Sequence, residues 1–237
     1  MKILFLIPPS EWKKIDNNYF EENLSFKFDK PLEIAHNVCE KDLKCKWNRF
    51  LEWLELNKKI SNSESIDAIH RYTWEMYKSI NYTEMNKSAK KFFEQNFLIF
   101  SWMYWIVKPL DKIGNYKLPI ETKWLYKFWW NIIPKAIIDM KPDYIVNLLP
   151  ISYAKMIWEY TTCNRHKKKK ETLINAWIKI ININFIKLDW NKVSHWVKKI
   201  KWEWIRQICE NKIIDYKKFW WEIVINDNVI NVNVIVN

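Results

Sequence analysis

Two loops of this chain carry side chains that could bind and transform a small substrate if the fold brings them together. One loop follows an apolar run near the start of the chain, and the other contains a Lys-Pro-Leu-Asp turn at 108–111. Carboxylates, hydroxyls and a lysine in one pocket are the groups that general acid–base catalysis uses. The candidate pocket residues are Ser10, Glu11, Tyr104, Asp111 and Tyr116.

The enzymatic interpretation has no diagnostic pattern behind it. No nucleophile–base triad occurs at a recognised spacing, and neither a Walker loop nor a dinucleotide-binding fingerprint is present. An enzyme acting on a phosphorylated metabolite, through the Ser10 loop and the turn from Lys108 to Asp111, is therefore the alternative to a binding protein.

Basic residues form a second group with a chemical use. The formal net charge is +12, from 39 Lys and Arg against 27 Asp and Glu, and a field of that sign attracts polyanions. The pattern over 193–213 predicts a helix with His195, Lys199, Trp202 and Arg206 along one face, opposite an apolar stripe. Such a basic ridge can contact phosphate groups, although an ordinary solvated face has the same pattern.

The segment 31–60 predicts two helices joined by a tight basic turn. Pro31 opens the first helix, and Phe50 lies near the start of the second. The turn between them could offer backbone N–H groups and the side chains of Lys44, Lys46 and Arg49 to one phosphate, as a helix-hairpin-helix does. An ordinary helix corner is the alternative.

The chemistry of Arg71 also has two interpretations. Together with Tyr72 it can hold an anion, or it can tie a loop to the core by hydrogen bonds, and the second use is favoured. The full set of candidate nucleic-acid-binding residues is Lys13, Lys44, Lys46, Arg49, Arg71, Lys108, His195, Lys198, Lys199, Lys201 and Arg206.

The cysteine pattern favours neither a disulfide framework nor a metal centre. The four cysteines, at positions 39, 45, 163 and 209, include no CxxC pair. His36, Cys39 and Cys45 lack a fourth ligand at a recognised spacing. We therefore expect no metal and no other cofactor.

The apolar segments predict a cytoplasmic α+β protein. No apolar run reaches the roughly 20 residues that cross a membrane, and the run 3–7 is cut by Pro8 and Pro9, so it predicts a buried first strand. A helix is expected over 124–140 and a strand over 144–148. The segment 173–188 favours two strands with a break near Asn182, and a terminal hairpin should follow around 226–228.

Tryptophan and glycine occur in unusual proportions. The chain has 17 Trp and a single Gly, whereas average glycine usage of about 7% predicts roughly 17 glycines. Several tryptophans occupy places that need permissive backbone, among them Trp12, Trp74, Trp102 and Trp105. We hypothesise that most of them are encoded by UGA codons that the organism reads as glycine. A chain that is truly rich in tryptophan is the alternative.

With glycine at these positions, five ordered segments resemble one family. Residues 101–111 read SWMYWIVKPLD, which resembles the S-G-L-Y-G-x-x-R-P-L-D segment of the YaaA family of peroxide-stress-resistance proteins. Residues 9–13 (PSEWK) resemble P-S-E-G-K, and residues 71–74 (RYTW) resemble R-Y-T-G. Residues 146–155 resemble I-N-L-x-x-x-x-Y-x-K, and residues 194–206 resemble S-H-x-x-K-x-x-R-G-x-x-x-R.

The resemblance implies a single domain over 1–237, with a mixed sheet wrapped by helices and a candidate helix-hairpin-helix over 31–60. It also implies a cytoplasmic protein that protects against hydrogen peroxide by binding double-stranded DNA without sequence specificity and limiting iron-dependent damage. Lys108 and Lys201 stand where the family pattern has arginine, so a bidentate grip on phosphate is not expected at either position.

Overall fold

A computed structural model describes most of the chain. The described residues are 1–15, 30–60, 65–119, 122, 125–150, 153, 176–187, 195–210, 219–226 and 229–236.

A mixed β-sheet organises these residues. Its strands in chain order are β1 (Ile3–Ile7), β3 (Phe97–Ser101), β4 (Trp105–Val107), β6 (Tyr144–Asn147), β7 (Lys179–Lys187), β8 (Phe219–Asn226) and β9 (Val229–Val236). The spatial order within the described part is β4-β3-β1-β6-β7-β9-β8. A separate antiparallel pair consists of β2 (Ile66–Asp67) and β5 (Lys112–Ile113).

The centre of the sheet is parallel, and its described edges are antiparallel. Strands β3, β1, β6, β7 and β9 all run in the same direction, whereas β4 and β8 run the opposite way. Parallel strands are covered on both faces, which requires nearly continuous apolar sequence. The strand β1 reads ILFLI and is buried from Leu4 onward, and every residue of β3 is buried.

Eight helices accompany the sheet in the described ranges. They are α1 (Lys30–His36), α2 (Glu40–Leu43), α3 (Trp47–Lys58), α4 (Ala68–Arg71), α5 (Glu75–Ile80), α6 (Lys87–Asn96), α7 (Leu125–Asp139) and α8 (His195–Cys209). Helix α8 packs against α5 and α6, and α6 also contacts β1. None of these helices is long and apolar enough to span a bilayer.

Local sequence explains where individual helices lie. In α7, Leu125, Trp129, Ile133 and Ile137 recur every fourth residue and are all buried, so one stripe faces the core. Helix α6 begins after Asn86, whose side-chain oxygen accepts a hydrogen bond from the backbone N–H of Ala89 at 2.9 Å.

The predicted fold class is confirmed, as are four of its elements. The strand over 3–7, the helix near 124–140, the strand from Tyr144 and the terminal hairpin all occur, within a mixed sheet accompanied by helices. That the chain forms one domain over its whole length stays a prediction.

Two predictions are wrong. The break near Asn182 does not occur, because β7 continues through it. The side chain of Asn147 donates to Asn182 Oδ1 at 2.9 Å, which gives each amide a partner within the sheet. Trp202 does not lie on an exposed ridge of α8. It is buried together with Trp204 and Ile205, so the helix buries a wider face than the stripe that we predicted.

Candidate functional site

One group of polar side chains gathers at the edge of the sheet where β1 and β3 end. Because β1 and β3 are parallel neighbours, the residues that follow them lie at the same edge. Ser10 and Lys13 follow β1, and Ser101 and Tyr104 lie at the end of β3. Other loops bring in Tyr72 and Tyr116. We call this group the Lys13 cluster, which consists of Ser10, Lys13, Tyr72, Ser101, Tyr104 and Tyr116.

Buried hydroxyl groups in the Lys13 cluster are connected by hydrogen bonds. The hydroxyl of Tyr116 lies 2.8 Å from Ser101 Oγ and 2.9 Å from the hydroxyl of Tyr72. The backbone N–H of Tyr104 donates to Ser101 Oγ at 3.0 Å, and Tyr104 in turn accepts from Gly114. Burial raises the pKa of both Tyr72 and Tyr116, so their hydroxyls stay protonated at neutral pH.

Lys13 lies half-buried beside these tyrosines. Its Nζ lies 4.1 Å from the ring centre of Tyr116 and 5.6 Å from that of Tyr72, and it donates to the carbonyl oxygen of Ser10 at 3.1 Å. Loss of solvation lowers the pKa of Lys13 well below its ordinary value, and the nearby positive charge of Lys117 lowers it further. The structure therefore favours the neutral amine more strongly than water does.

Hydrogen bonds fix the loop that carries Lys13. Its backbone forms a β-bridge with Tyr72, and the N–H of Lys14 donates to the carbonyl of Arg71 at 2.8 Å. Ser10 Oγ donates to the carbonyl of Thr73 at 2.5 Å. The amine is thus positioned by backbone contacts that do not depend on its own side chain.

Three of the five candidate pocket residues come together. Ser10, Tyr104 and Tyr116 belong to the Lys13 cluster, but Glu11 and Asp111 have other surroundings. Glu11 is exposed. Asp111 is buried and its carboxylate accepts the backbone N–H of Lys108 at 2.8 Å, which closes its own turn.

Sequence reasoning did not single out Ser101, and it considered Tyr72 only as a companion of Arg71 and not as part of this pocket. Both lie inside segments that resemble the family, RYTW at 71–74 and SWMYWIVKPLD at 101–111. The segments were therefore a usable signal, although nothing in them shows that the two hydroxyls would meet through Tyr116.

The predicted basic turn is present between α2 and α3. Lys44 has left-handed backbone (φ 52°) and so does Trp47 (φ 57°), which lets the chain reverse within a few residues. Lys44, Lys46 and Arg49 are all exposed. The backbone N–H of Trp47 donates to a carboxylate oxygen of Glu40 at 3.0 Å. A tight basic turn does join two helices here, but the helix before it is the short α2, whereas the prediction joined the helix opened by Pro31 directly to the next. The helix-hairpin-helix over 31–60 stays a prediction.

The remaining basic candidates have varied positions. Arg71 is buried and its guanidinium donates to the carbonyls of Ile113 and Lys14, so it ties loops together as favoured above and does not offer a surface contact. Arg206 is partly buried and pairs with Glu210 at 3.0 Å. Lys108 is exposed at the end of β4. The side chains of His195, Lys198, Lys199 and Lys201 lie outside the described residues, although their backbone belongs to α8.

Metal-ligating side chains do not gather in the part of the chain that the structure describes. No group of three or more His, Cys, Asp or Glu with the geometry of a metal site occurs there. Cys39, Cys45 and Cys209 are free thiols.

Comparison with known proteins places this mixed-sheet protein in a family. A family model described as peroxide stress protein YaaA matches residues 1–220. A UPF0246 protein of Clostridioides difficile (strain 630) is 28% identical over 233 residues, which cover 91% of this chain and 89% of the relative. A UPF0246 protein of Malacoplasma penetrans (strain HF-2) is 29% identical over 180 residues, or 66% of this chain and 70% of the relative.

A shorter match involves Rickettsia rickettsii (strain Iowa), whose UPF0246 protein is 30% identical over 139 residues, covering 54% of this chain and 55% of the relative. Since the family model covers nearly the whole sequence, the chain belongs to the peroxide stress protein YaaA family.

Proposed function

We propose that this protein acts in peroxide stress by binding duplex DNA without sequence preference and limiting iron-driven damage to it. The observation that carries the proposal is the basic turn between α2 and α3, where Lys44 and Lys46 of the turn and Arg49 in the first turn of α3 are exposed. Family membership supports the link to peroxide stress. The net charge of +12 favours encounter with a polyanion.

The geometry of the basic turn suits a phosphate group. The first N–H groups of a helix lack intrahelical partners and carry the positive end of the helix dipole. Around the start of α3, the side chains of Lys44, Lys46 and Arg49 add three positive charges. One N–H, that of Trp47, already donates to a carboxylate oxygen, which has the same hydrogen-bonding character as a phosphate oxygen. Contacts of this kind position a duplex without reading its bases.

Fluorescence anisotropy of a labelled duplex, titrated at several salt concentrations, tests this proposal. The combined variant Lys44→Ala, Lys46→Ala, Arg49→Ala should make the slope of log K against log salt less negative by up to about 2.7, at about 0.9 per phosphate contact. Over a range from about 50 to 200 mM salt, three contacts correspond to roughly a 40-fold change in affinity.

The matched control is the variant Lys78→Ala, Lys87→Ala, Lys91→Ala. It removes the same number of charges from exposed positions on α5 and α6. The proposal requires the two variants to differ. Equal slopes would show that only net charge matters, and an unchanged wild-type slope in the first variant would remove the basic turn from the interface.

Protection is measured in a separate assay. Supercoiled plasmid is exposed to ferrous iron and hydrogen peroxide with each protein, and nicking is followed on a gel. Wild-type protein and the control variant should reduce nicking, and the Lys44, Lys46, Arg49 variant should protect less. If protection is the same in all three, it does not arise from DNA binding at this turn.

We also propose that tryptophans with left-handed backbone are glycines in the cell. Among the described residues, seven non-glycine residues have positive φ, and four of them are tryptophan: Trp47 (57°), Trp74 (149°), Trp105 (69°) and Trp177 (58°). A β-carbon is unfavourable in this region, and glycine is the residue that occupies it freely. The placement of tryptophans is what a chain with UGA read as glycine would show.

Codons and peptide masses test this second proposal. The gene should carry UGA at positions 47, 74, 105 and 177, and peptides of the protein isolated from its own organism should have the mass of glycine there. UGG codons at these four positions, or peptides with tryptophan, would refute it. Neither result depends on whether the protein binds DNA.

A further inference from the structure

We propose that Lys13 is a nucleophile that forms an imine with a small, negatively charged aldehyde or ketone at the carboxyl edge of β1 and β3. This activity is separate from the DNA binding proposed above, and it uses residues other than those of the basic turn. The proposal rests on the position of the Lys13 cluster in the sheet, on the surroundings of the amine and on the charges near it.

The position is one where open parallel sheets bind ligands. From β1 the chain continues to β3 on one side, whereas β6, β7 and β9 follow one another on the other side. The connections that leave β1 and β6 therefore run in opposite directions along the sheet, and the direction changes between these two strands. The crevice outside the carboxyl ends at such a reversal is the usual ligand position in these folds. Ser10 and Lys13 follow β1, one of the two strands at this reversal, and the rest of the Lys13 cluster lies on its β3 side. Tyr153, which follows β6, lies 5.2 Å from Trp102 between ring centres and close enough to Tyr116 to act on it electrostatically.

The surroundings of Lys13 suit a nucleophilic amine. Lysine reacts with carbonyl groups only as the neutral amine, and the two environments that stabilise this form are desolvation and a neighbouring cation. Lys13 has both, because burial removes water from its Nζ and the positive charge of Lys117 acts on it, and these act against the faces of the Tyr72 and Tyr116 rings, which attract an ammonium group. The lowered pKa described above agrees with this geometry.

The reaction is balanced without any further reagent. The lone pair of Lys13 Nζ attacks the carbonyl carbon, and the electron pair of the C=O bond moves to the oxygen, which takes up a proton. The nitrogen loses a proton, which gives the carbinolamine. The carbinolamine hydroxyl takes up a second proton and leaves as water while the nitrogen lone pair forms the C=N bond, and the resulting iminium loses its N–H proton to give the imine, so the proton count is unchanged overall. The protonated hydroxyls of Tyr72 and Tyr116 place proton donors in the same cluster.

The charges near the amine select an anionic compound. Lys117 Nζ donates to the carbonyl oxygen of Glu11 at 2.9 Å, and the positive charge of Lys117 acts on Lys13 more strongly than the opposing negative charge of Glu11, with Arg71 adding a further positive charge. A carboxylate or phosphate on the carbonyl compound would lie in this positive field. Oxo acids and phosphorylated aldehydes are therefore the chemical class that fits.

Reductive trapping tests the proposal directly. The full chain is incubated at neutral pH with glyoxylate and sodium cyanoborohydride, which converts an imine into a stable carboxymethyl amine, and the modified lysines are mapped by tandem mass spectrometry. At pH 7 the amine of an ordinary lysine is neutral in roughly one molecule in 2,500. We expect Lys13 to be modified at least tenfold faster than its exposed neighbour Lys14.

Two comparisons sharpen the result. Glycolaldehyde, which is of similar size but lacks the carboxylate, should modify Lys13 less than glyoxylate does, and Lys117→Ala should reduce that preference. Lys13→Arg should remove the modified peptide, whereas Lys14→Arg should leave it unchanged. Circular dichroism of each variant checks the fold, and the wild-type ratio of Lys13 to Lys14 needs no variant at all.

The outcomes are separable. Modification of Lys13 at the rate of Lys14 or slower would overturn the proposal. Faster modification with equal rates for glyoxylate and glycolaldehyde would overturn the choice of an anionic compound. DNA binding by the modified protein is measured by anisotropy in parallel, so a failure of the DNA proposal would leave this result intact.

Discussion

Replacing the three exposed tryptophans that have left-handed backbone by glycine should raise the free energy of unfolding by about 2–4 kcal/mol. The side chains of Trp47, Trp74 and Trp177 are 81%, 52% and 84% exposed, so little packing is lost when they are removed. The gain comes from relief of backbone strain in the folded chain.

The magnitude follows from each position. A left-handed residue with a β-carbon costs about 1–2 kcal/mol, which applies to Trp47 and Trp177. Trp74 has φ 149° and ψ 170°, a region almost restricted to glycine, where the cost reaches about 3 kcal/mol. Against this, each new glycine loses about 0.5–1 kcal/mol through unfolded-state entropy. Trp74 also loses its stacking on Trp12, whose ring centre is 5.8 Å away.

The change is measured by urea denaturation, monitored by circular dichroism. The slope of unfolding free energy against urea concentration should be the same in each variant. The matched control replaces the same three tryptophans by alanine, which removes the indoles but keeps the β-carbons. If the glycine variant is no more stable than the alanine variant, strain at these positions is not what the φ values indicate, and the argument for glycine fails.

The buried position Trp105 should behave in the opposite way. Its side chain is fully buried and stacks on Trp129 with ring centres 5.9 Å apart. Replacing a large aromatic side chain in a core costs about 3–5 kcal/mol, which exceeds the strain relieved. Trp105→Gly alone should therefore lower the free energy of unfolding of this chain.

Three further predictions concern the Lys13 cluster and the thiols. Because the folded-state pKa of Lys13 lies below its unfolded value, the unfolded chain binds more protons between the two values, and stability should rise with pH in that window. Lys13→Met should remove this rise, which reaches at most about 1.4 kcal/mol per pH unit, in urea titrations from about pH 6 to pH 9. Tyr116→Phe removes a hydroxyl with two buried partners and should cost about 1–3 kcal/mol in the same assay, and a loss below about 0.5 kcal/mol would contradict the hydroxyl chain. Iodoacetamide should modify the exposed Cys39 well before Cys209, because burial raises the pKa of Cys209 to about 12, and peptide mapping that shows the reverse order would place Cys209 at the surface.

Local sequence was sufficient to predict several elements but not how they pair. The apolar run 3–7 is short and is followed by Pro8 and Pro9, so its sequence alone predicts a buried strand. The side-chain pattern of a parallel strand does not identify its neighbours, so the position of β1 between β3 and β6 could not be predicted. Asn182 was misinterpreted for a related reason, since its partner Asn147 lies on another strand.

The candidate site was predicted in part. Ser10, Tyr104 and Tyr116 were chosen for their chemistry and do meet. Asp111 was chosen on the same grounds, but a carboxylate three residues after Lys108 can satisfy a backbone N–H of its own turn, and it does so here. The contribution of Tyr72 depends on its bridge to Lys13 between distant segments, for which single-sequence reasoning has no signal.

The central position of β1 has a consequence for how the chain is made. The backbone N–H of Lys2, at the start of β1, donates to Asp143 at 2.6 Å across 141 positions of sequence. A ribosome adds about 5–20 residues per second, so roughly 7–28 seconds pass between the synthesis of β1 and that of β6. The apolar residues of β1 lack both neighbouring strands until β3 is made, and lack β6 until the end of that interval. We therefore expect β1 of the nascent chain to be protected by chaperones or by transient pairing with other segments. If translation stalls before β6 is made, β1 is the region where we expect aggregation to begin.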